Sequence, residues 1–294
     1  MPGRFKSWSS CALGIALLLG AVELAARARH LRRVPRTRAN PGQVTLVALG
    51  DSIVAGSPGD PAAAWPACLA IRLRTSRFGV EWRVSNAGQP GGTAPQGYER
   101  FDRDVAVQAP QVVMIAFGLN DCNPARTIVD SSRESLVPQG LDRSHLWRAA
   151  RVRLENWRYR SGWRFCGRLA QGIVPEPRTS AEGFANTLDL LVAGAKRVGA
   201  KPVLLTMTPL AREETQGVCA RSKTYGMYNS IIRARAVKHA LPLVELASGA
   251  PPAAWDRDGF HLTSVGQAWV ADQVYGQLES IGFWAEVAKG AEHG

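Results

Sequence analysis

The chain has 294 residues, 46% of them hydrophobic, which is enough for one α/β domain with a full core and a terminal extension. Its formal net charge of +12 first suggests a nucleic-acid binder, but two segments hold the excess: residues 1–38 carry eight Lys and Arg against one Glu, and residues 141–168 carry eight Arg against two acidic residues. Because the remainder is nearly neutral and the sequence has no zinc-finger spacing and no aromatic RNA-binding motif, we expect no nucleic-acid partner.

Residues 1–42 have the composition of a signal or anchor segment followed by a basic linker. Two basic residues precede an apolar run, residues 11–22, which is short for a spanning helix but fits a signal-peptide core or a marginal signal anchor. We therefore expect a membrane-anchored or a secreted, periplasmic protein. The basic flank after the run favours a cytoplasmic body, whereas cleavage or anchored export would place the body outside, so both sides of the membrane stay open.

The folded domain is predicted to begin at residue 43, and its first strong element is the stretch VTLVALGDSIVAGS, residues 44–57. A run of apolar, β-favouring residues ends at Gly50-Asp51-Ser52, as a buried strand does where it enters a loop. A serine just past the carboxyl end of a buried strand lies where open α/β sheets form their ligand crevice. Ser52 is therefore the first candidate for chemistry.

Strands and helices alternate along most of the remaining chain. The predicted elements are a helix over 62–78, a strand over 81–85 followed by a glycine-rich turn at 86–93, a helix around 95–107, a strand over 111–117, a helix opened by a capping box at Thr179 and Glu182, a strand over 201–207, a helix over 222–240, a strand over 243–246 and a helix over 263–281. This alternation predicts an α/β fold, with a parallel sheet of about five strands and helices on both faces.

Residues 124–177 interrupt the alternation and are too many for an ordinary connection between a strand and a helix. Their centre has apolar residues at helical spacing and arginines elsewhere, which predicts an inserted helical cap within a domain of residues 43–294. We favour a solvated basic surface helix. The alternative is a lid whose Trp147, Trp157 and Trp163 meet substrate or lipid headgroups.

Polar residues follow the predicted strands, and in a parallel sheet these strand ends share one edge. A serine hydroxyl such as that of Ser52 is a weak nucleophile until a base takes its proton, and His261 can be that base. Asp258, three residues earlier, can accept a hydrogen bond from the far ring nitrogen and orient the ring. The backbone N–H groups of Ser52 and Gly91 and the side-chain amide of Asn120 can stabilise an oxyanion.

Other polar residues are assigned structural roles. Asp51 and Asp121 follow strand ends, where a carboxylate usually caps a helix or bonds a turn. Four cysteines beyond the N-terminal segment lack the spacing of metal ligands, so we expect no metal site and no cofactor, and both disulfides and buried thiols are compatible with their number. These cysteines are Cys68, Cys122, Cys166 and Cys219.

Four short blocks in order resemble the conserved blocks of the SGNH (GDSL-type) hydrolase superfamily: GDSI at 50–53, NAGQPGGT at 86–93, GLND at 118–121 and DGFHLT at 258–263. The similarity covers about residues 44–281. It implies a flavodoxin-like three-layer α/β/α sandwich and hydrolysis of carboxylic esters without a metal. The N-terminal segment also resembles that of membrane-associated bacterial members. The roles that the resemblance implies are a nucleophile at Ser52, triad partners at Asp258 and His261, and oxyanion-hole residues at Gly91, which has Gly88 and Gly92 as neighbours, and at Asn120.

The leading prediction is a serine esterase that hydrolyses acyl esters through an acyl-enzyme on Ser52. The nearest alternative is an O-acyltransferase or a deacetylase acting on carbohydrate, because an acyl-enzyme can also pass its acyl group to a sugar hydroxyl. An alternative of a different class is a non-catalytic, membrane-associated binding protein. The expected partner is a small-molecule or glycan acyl ester, while acyl length and oligomeric state are left open.

Overall fold

A five-stranded parallel sheet lies at the centre of the computed structural model, which describes residues 42–76, 78–123, 177–211, 221–257 and 259–292. The strands are β1 (Gln43–Gly50), β2 (Glu81–Gly88), β3 (Val112–Ala116), β4 (Lys201–Leu205) and β5 (Leu243–Val244). Their order across the sheet is β2-β1-β3-β4-β5, and all neighbours are parallel. The prediction of an α/β fold with about five parallel strands is therefore confirmed.

Two groups of helices pack on this sheet. In chain order the helices are α1 (Ser52–Ala55), α2 (Trp65–Thr75), α3 (Ala94–Glu99), α4 (Phe101–Asp104), α5 (Ala181–Arg197), α6 (Arg221–His239), α7 (Ser264–Ser280) and α8 (Phe283–Glu292). Helices α2, α7 and α8 form one layer, and α3 to α6 form the other. The strand order with helices in two layers is the flavodoxin-like arrangement.

Strand β1 is buried along nearly its whole length, because it is an inner strand with helices over both faces. That burial explains why its sequence is a continuous apolar run without polar alternation. Beside it, Trp82 of β2 meets Trp284 of α8 edge to face, with ring centroids 5.6 Å apart. Helix α8, which carries Trp284, follows the last predicted helix and was not among the predicted elements.

Two predicted elements differ from the structure in their details. The helix expected around 95–107 is divided into α3, α4 and a 3-10 turn, Ala106–Gln108, with Arg100 at the first break. The predicted capping box at Thr179 is wrong, since Ser180 caps α5 by accepting a hydrogen bond from Gly183 N at 3.0 Å. Thr179 is buried instead, and its hydroxyl donates to Asp121 at 2.7 Å.

Several predictions fall on residues that the structure does not describe. Of the predicted signal or anchor segment and linker (residues 1–42) and the predicted cap (residues 124–177), all but residues 42 and 177 lie outside the described residues, as do Cys166 and Cys219. None of the helices in the described ranges combines the length and the apolar composition that a membrane-spanning segment needs. Cys68 is a free thiol, and the buried Cys122 thiol donates to Leu119 O at 3.5 Å.

Candidate active site

Ser52 and His261 lie side by side although 209 residues separate them in the chain: Ser52 Oγ is 3.0 Å from His261 Nε2. Ser52 begins α1, two residues after β1 ends at Gly50, and is buried, while His261 is half-buried. Asn120 follows β3 on the same edge. The strand order reverses between β1 and β3, so these residues surround the point of an open α/β sheet where ligands usually bind.

Helix α1 has a single turn, and side chains from elsewhere complete its hydrogen bonds. Asp51 caps its start, with Oδ1 accepting from Ile53 N at 2.9 Å, which is the capping role predicted for this residue. Ile53 O accepts from Gln267 Nε2 at 3.2 Å, and Val54 O accepts from Asn86 Nδ2 at 2.8 Å. A four-residue helix leaves most of its terminal backbone groups unsatisfied. Gln267 of α7 and Asn86 of β2 therefore fix the turn that presents Ser52, and neither was assigned this role from the sequence.

Asn120 contacts the residue before the serine: its Nδ2 lies 3.5 Å from Asp51 Oδ2. An amide has two N–H donors, and this contact uses one of them. Burial raises the pKa of Asp51 to about 7, and the nearby Asp121 carboxylate acts in the same direction, whereas the hydrogen bond from Ile53 N opposes the rise. A carboxyl group that titrates near neutral pH therefore lies next to Ser52 in the chain and in contact with the Asn120 amide.

The raised pKa of Asp51 predicts a pH-dependent stability that Asp51→Asn should remove. Between about pH 4 and pH 7 the folded state keeps a proton on Asp51 that the unfolded state releases, so this group's contribution to stability is present at low pH and declines as the pH rises through this window. The decline amounts to about 1.4 kcal/mol per pH unit at most. The stability of Asp51→Asn relative to the wild type should therefore increase from pH 4 to pH 7 and level off above.

Urea unfolding of both proteins at several pH values measures this difference. Asp60→Asn is the matched control, because Asp60 Oδ1 caps the 3-10 turn Pro61–Ala63 through Ala62 N at the same 2.9 Å but is exposed to solvent. A stability difference between Asp51→Asn and wild type that stays constant from pH 4 to pH 8 would contradict the prediction.

Gly91 lies in a tight turn from Gln89 to Gly92, closed by Gly92 N donating to Gln89 O at 3.0 Å. Pro90 precedes Gly91, whose φ of +74° is the value that a type II turn requires at this position and that favours glycine. Gly88, in contrast, is needed for close packing, because a Cβ there would lie 2.2 Å from Ala55 N of α1. Gly91 is exposed on this turn, whereas Gly88 packs against helix α1, which carries Ser52.

Asp121 holds the surrounding loops together, as predicted for it. Its fully buried carboxylate accepts hydrogen bonds from Ala94 N at 3.0 Å and from the Thr179 hydroxyl at 2.7 Å. The backbone nearby adds a bond from Arg178 N to Asn123 O at 2.8 Å, and Arg178 Nη1 donates to Gly91 O at 3.1 Å. The chain after residue 176 therefore returns beside both the Asn120 loop and the Gly91 turn.

His261 is carried by a loop closed at its base by an antiparallel bridge between Trp255 and Leu262. Asp256 N donates to His261 O at 2.9 Å, and the ring of Phe260 lies 4.2 Å from the imidazole, centre to centre. Asp258, the predicted orienting carboxylate, lies outside the described residues, so its role stays a prediction. Among the residues with described positions, no three His, Cys, Asp or Glu side chains are grouped to hold a metal ion.

A flavodoxin-like sheet with a seryl–histidyl pair at its switch point is an arrangement suited to a hydrolase, and sequence comparison identifies the class. Residues 48–269 match the model of the GDSL-like Lipase/Acylhydrolase family, and the chain belongs to this family. It is accordingly a hydrolase that acts on ester bonds. The resemblance to SGNH (GDSL-type) hydrolases is confirmed, while none of the matches bears on the membrane-associated type.

The individual proteins that the chain resembles match it over a short segment or at low sequence identity. The esterase TesA of Pseudomonas aeruginosa is 38% identical over 77 residues, which are 26% of this chain and only 37% of that protein. The crystal structure of a lipase/acylhydrolase from Enterococcus faecalis is 16% identical, with a TM-score of 0.54 over 81% of this chain and 96% of that one. A mutant of an acetylxylan esterase from Geobacillus stearothermophilus is 19% identical, with a TM-score of 0.52 over 82% of this chain and 95% of that one. These two structures share the fold.

Proposed function

We propose that the protein is a serine esterase that hydrolyses carboxylic esters through an acyl-enzyme on Ser52. The observation that carries this proposal is the 3.0 Å separation of Ser52 Oγ and His261 Nε2. His261 takes the hydroxyl proton while Oγ attacks the acyl carbon, and the imidazolium then gives this proton to the departing alcohol. Water, deprotonated by the same imidazole, attacks the acyl-enzyme, which releases the carboxylic acid and regenerates Ser52.

The oxyanion formed in each half of this reaction requires fixed donors. We assign these to the backbone N–H groups of Ser52 and Gly91 and to the Asn120 amide. The position of Asn120 beside Asp51 and the hydrogen-bonded turn that contains Gly91 support the assignment. Asp258 is assigned to the far nitrogen of His261, where a carboxylate would hold the ring in the tautomer that accepts the seryl proton.

Removal of an acyl group from carbohydrate, or its transfer to a carbohydrate hydroxyl, is the second candidate. One of the structural neighbours is an acetylxylan esterase, which supports a glycan ester as substrate. Both candidates use the same acyl-enzyme and differ in what accepts the acyl group. The molecule that accepts the acyl group therefore distinguishes the two candidate functions, whereas the residues around Ser52 serve both.

A panel of p-nitrophenyl esters from acetyl to palmitoyl, assayed with and without added oligosaccharides, tests the proposal. We expect release of p-nitrophenol together with the free acid, and labelling of Ser52 by a fluorophosphonate probe, located by peptide mass spectrometry. Acylated oligosaccharide formed faster than free acid would identify a transferase. An enzyme that cleaves no ester in the panel and leaves Ser52 unlabelled would favour a non-catalytic binding protein and overturn the proposal.

A further inference from the structure

Arg100 is a buried arginine that joins the ends of two strands. Its side chain is 7% exposed, and it lies at the break between α3 and α4. Nη2 donates to Gly50 O at 2.7 Å, and Nη1 donates to Ala87 O at 2.7 Å. Gly50 is the last residue of β1 and precedes Asp51 and Ser52, while Ala87 is near the end of β2, which leads to the Gly91 turn.

The carbonyl of Gly50 is shared between the two loops of the site. It accepts a hydrogen bond from Gln89 N at 3.0 Å as well as the one from Arg100. Gln89 begins the turn that contains Gly91. The guanidinium group thus holds the point where the nucleophile strand and the Gly91 turn meet, and it reaches both strands with one rigid planar group.

Burying the charged guanidinium group of Arg100 costs desolvation free energy, so stability alone does not explain this arrangement. Burial lowers the pKa of Arg100, and Asp104, whose Oδ2 lies 2.9 Å from Nη1, only partly offsets this. Arg100 Nε is buried and has no hydrogen-bond partner among the described residues. Buried ion pairs are often no more stabilising than apolar side chains of the same size, so the benefit of a buried guanidinium is more readily explained by the geometry it imposes.

We propose that Arg100 is a positioning residue for the esterase reaction: it fixes the carboxyl ends of β1 and β2 relative to each other, so that the N–H groups of Ser52 and Gly91 point at one oxyanion. The inference rests on the proposed function. The predicted helix around 95–107 is broken at Arg100, and at this break the Arg100 side chain reaches the carbonyl groups at the ends of both strands.

Arg100→Lys tests the role, because lysine keeps the charge but cannot bridge two separated carbonyl groups in a fixed plane. Displacement of reacting groups by about 1 Å can cost about a hundredfold in rate, so we expect kcat to fall by about tenfold to a hundredfold with KM changed by less than about twofold. Acylation and deacylation both pass through the oxyanion. Stopped-flow measurement should therefore show both rates falling by a similar factor.

Arg103→Lys is the matched control. Arg103 also pairs with Asp104, at 2.6 Å, but its side chain is 74% exposed, and within the described residues its Nε and Nη2 donate to the Asp104 carboxylate and not to a strand-end carbonyl. We expect kcat for Arg103→Lys to stay within about twofold of the wild type, since an exposed ion pair contributes little. The comparison separates the strand-end contacts of Arg100 from the loss of an arginine beside Asp104.

A kcat for Arg100→Lys within twofold of the wild type, measured per folded molecule from the fluorescence of the native state, would overturn the positioning role. So would a fall confined to KM. If Arg100→Lys does not fold, Asp104→Asn takes its place: it removes the charge partner of Arg100 and should lower kcat by about threefold to tenfold, and an unchanged kcat would overturn the role. An inactive Ser52→Ala protein beside a fully active Arg100→Lys protein would refute the positioning role and leave the proposed function intact.

Discussion

Ser52→Ala should lower kcat for short p-nitrophenyl esters by on the order of 10⁴-fold or more. The substitution removes the only atom that can form the acyl-enzyme in the proposed reaction, and the oxyanion donors alone cannot replace it. The fold should be retained, because α1 is capped by Asp51 and held by Gln267 and Asn86 and does not depend on the serine hydroxyl. Ester hydrolysis of the purified variant, with thermal unfolding measured in parallel, checks both expectations.

Ser57→Ala provides the control for this prediction. Ser57 follows the same helix, and its backbone N–H donates to Ser52 O at 3.0 Å, a contact that alanine preserves. We expect activity within about twofold of the wild type, as is usual for substitutions that leave the contacts of a site in place. Turnover by Ser52→Ala above about 1% of the wild-type rate would mean that another group attacks the ester, and the proposed mechanism would fail.

The sequence was sufficient to predict the elements with strong local signals and the residues that lie at strand ends. Strand β1 is a continuous apolar run, so its end at Gly50 and the position of Ser52 just past that end could be predicted. Because parallel strands deliver their carboxyl ends to one edge, the meeting of Ser52 and His261 also followed from the alternation of strands and helices. These predictions depend only on local periodicity and on topology.

The supporting residues could not be predicted in the same way. Gln267 lies on α7, more than 200 residues from the helix that it completes, and Arg100 lies within what has the pattern of one continuous helix. Both side chains act through hydrogen bonds to backbone carbonyl groups. Every residue has such a group, so the sequence does not indicate which carbonyl a distant side chain will reach. The error at Thr179 has a similar origin, because both Thr179 and Ser180 are residue types that can cap a helix. The Thr179 hydroxyl donates to the buried carboxylate of Asp121, and the Ser180 hydroxyl caps the helix instead.

His261→Gln should lower kcat by about 10²- to 10⁴-fold. Glutamine can still reach the serine hydroxyl with a polar atom, but its amide cannot take the proton from Oγ, so Ser52 would have to attack as the neutral alcohol. Labelling of Ser52 by a fluorophosphonate should slow by a comparable factor, because this reaction also needs the deprotonated hydroxyl. KM should change little if the imidazole acts mainly on the proton and contributes little to binding.

His239→Gln is the matched control. His239 Nε2 also has a close partner, Asp189 Oδ1 at 2.7 Å, but that pair joins α6 to α5 and does not involve Ser52. Activity should stay within about twofold of the wild type. The decisive comparison is the double variant Ser52→Ala/His261→Gln: two residues that act in one proton transfer give non-additive effects, so the double variant should be no less active than Ser52→Ala alone. A further drop of about 10²-fold in the double variant would show that His261 acts on the reaction independently of Ser52, contrary to the proposed mechanism.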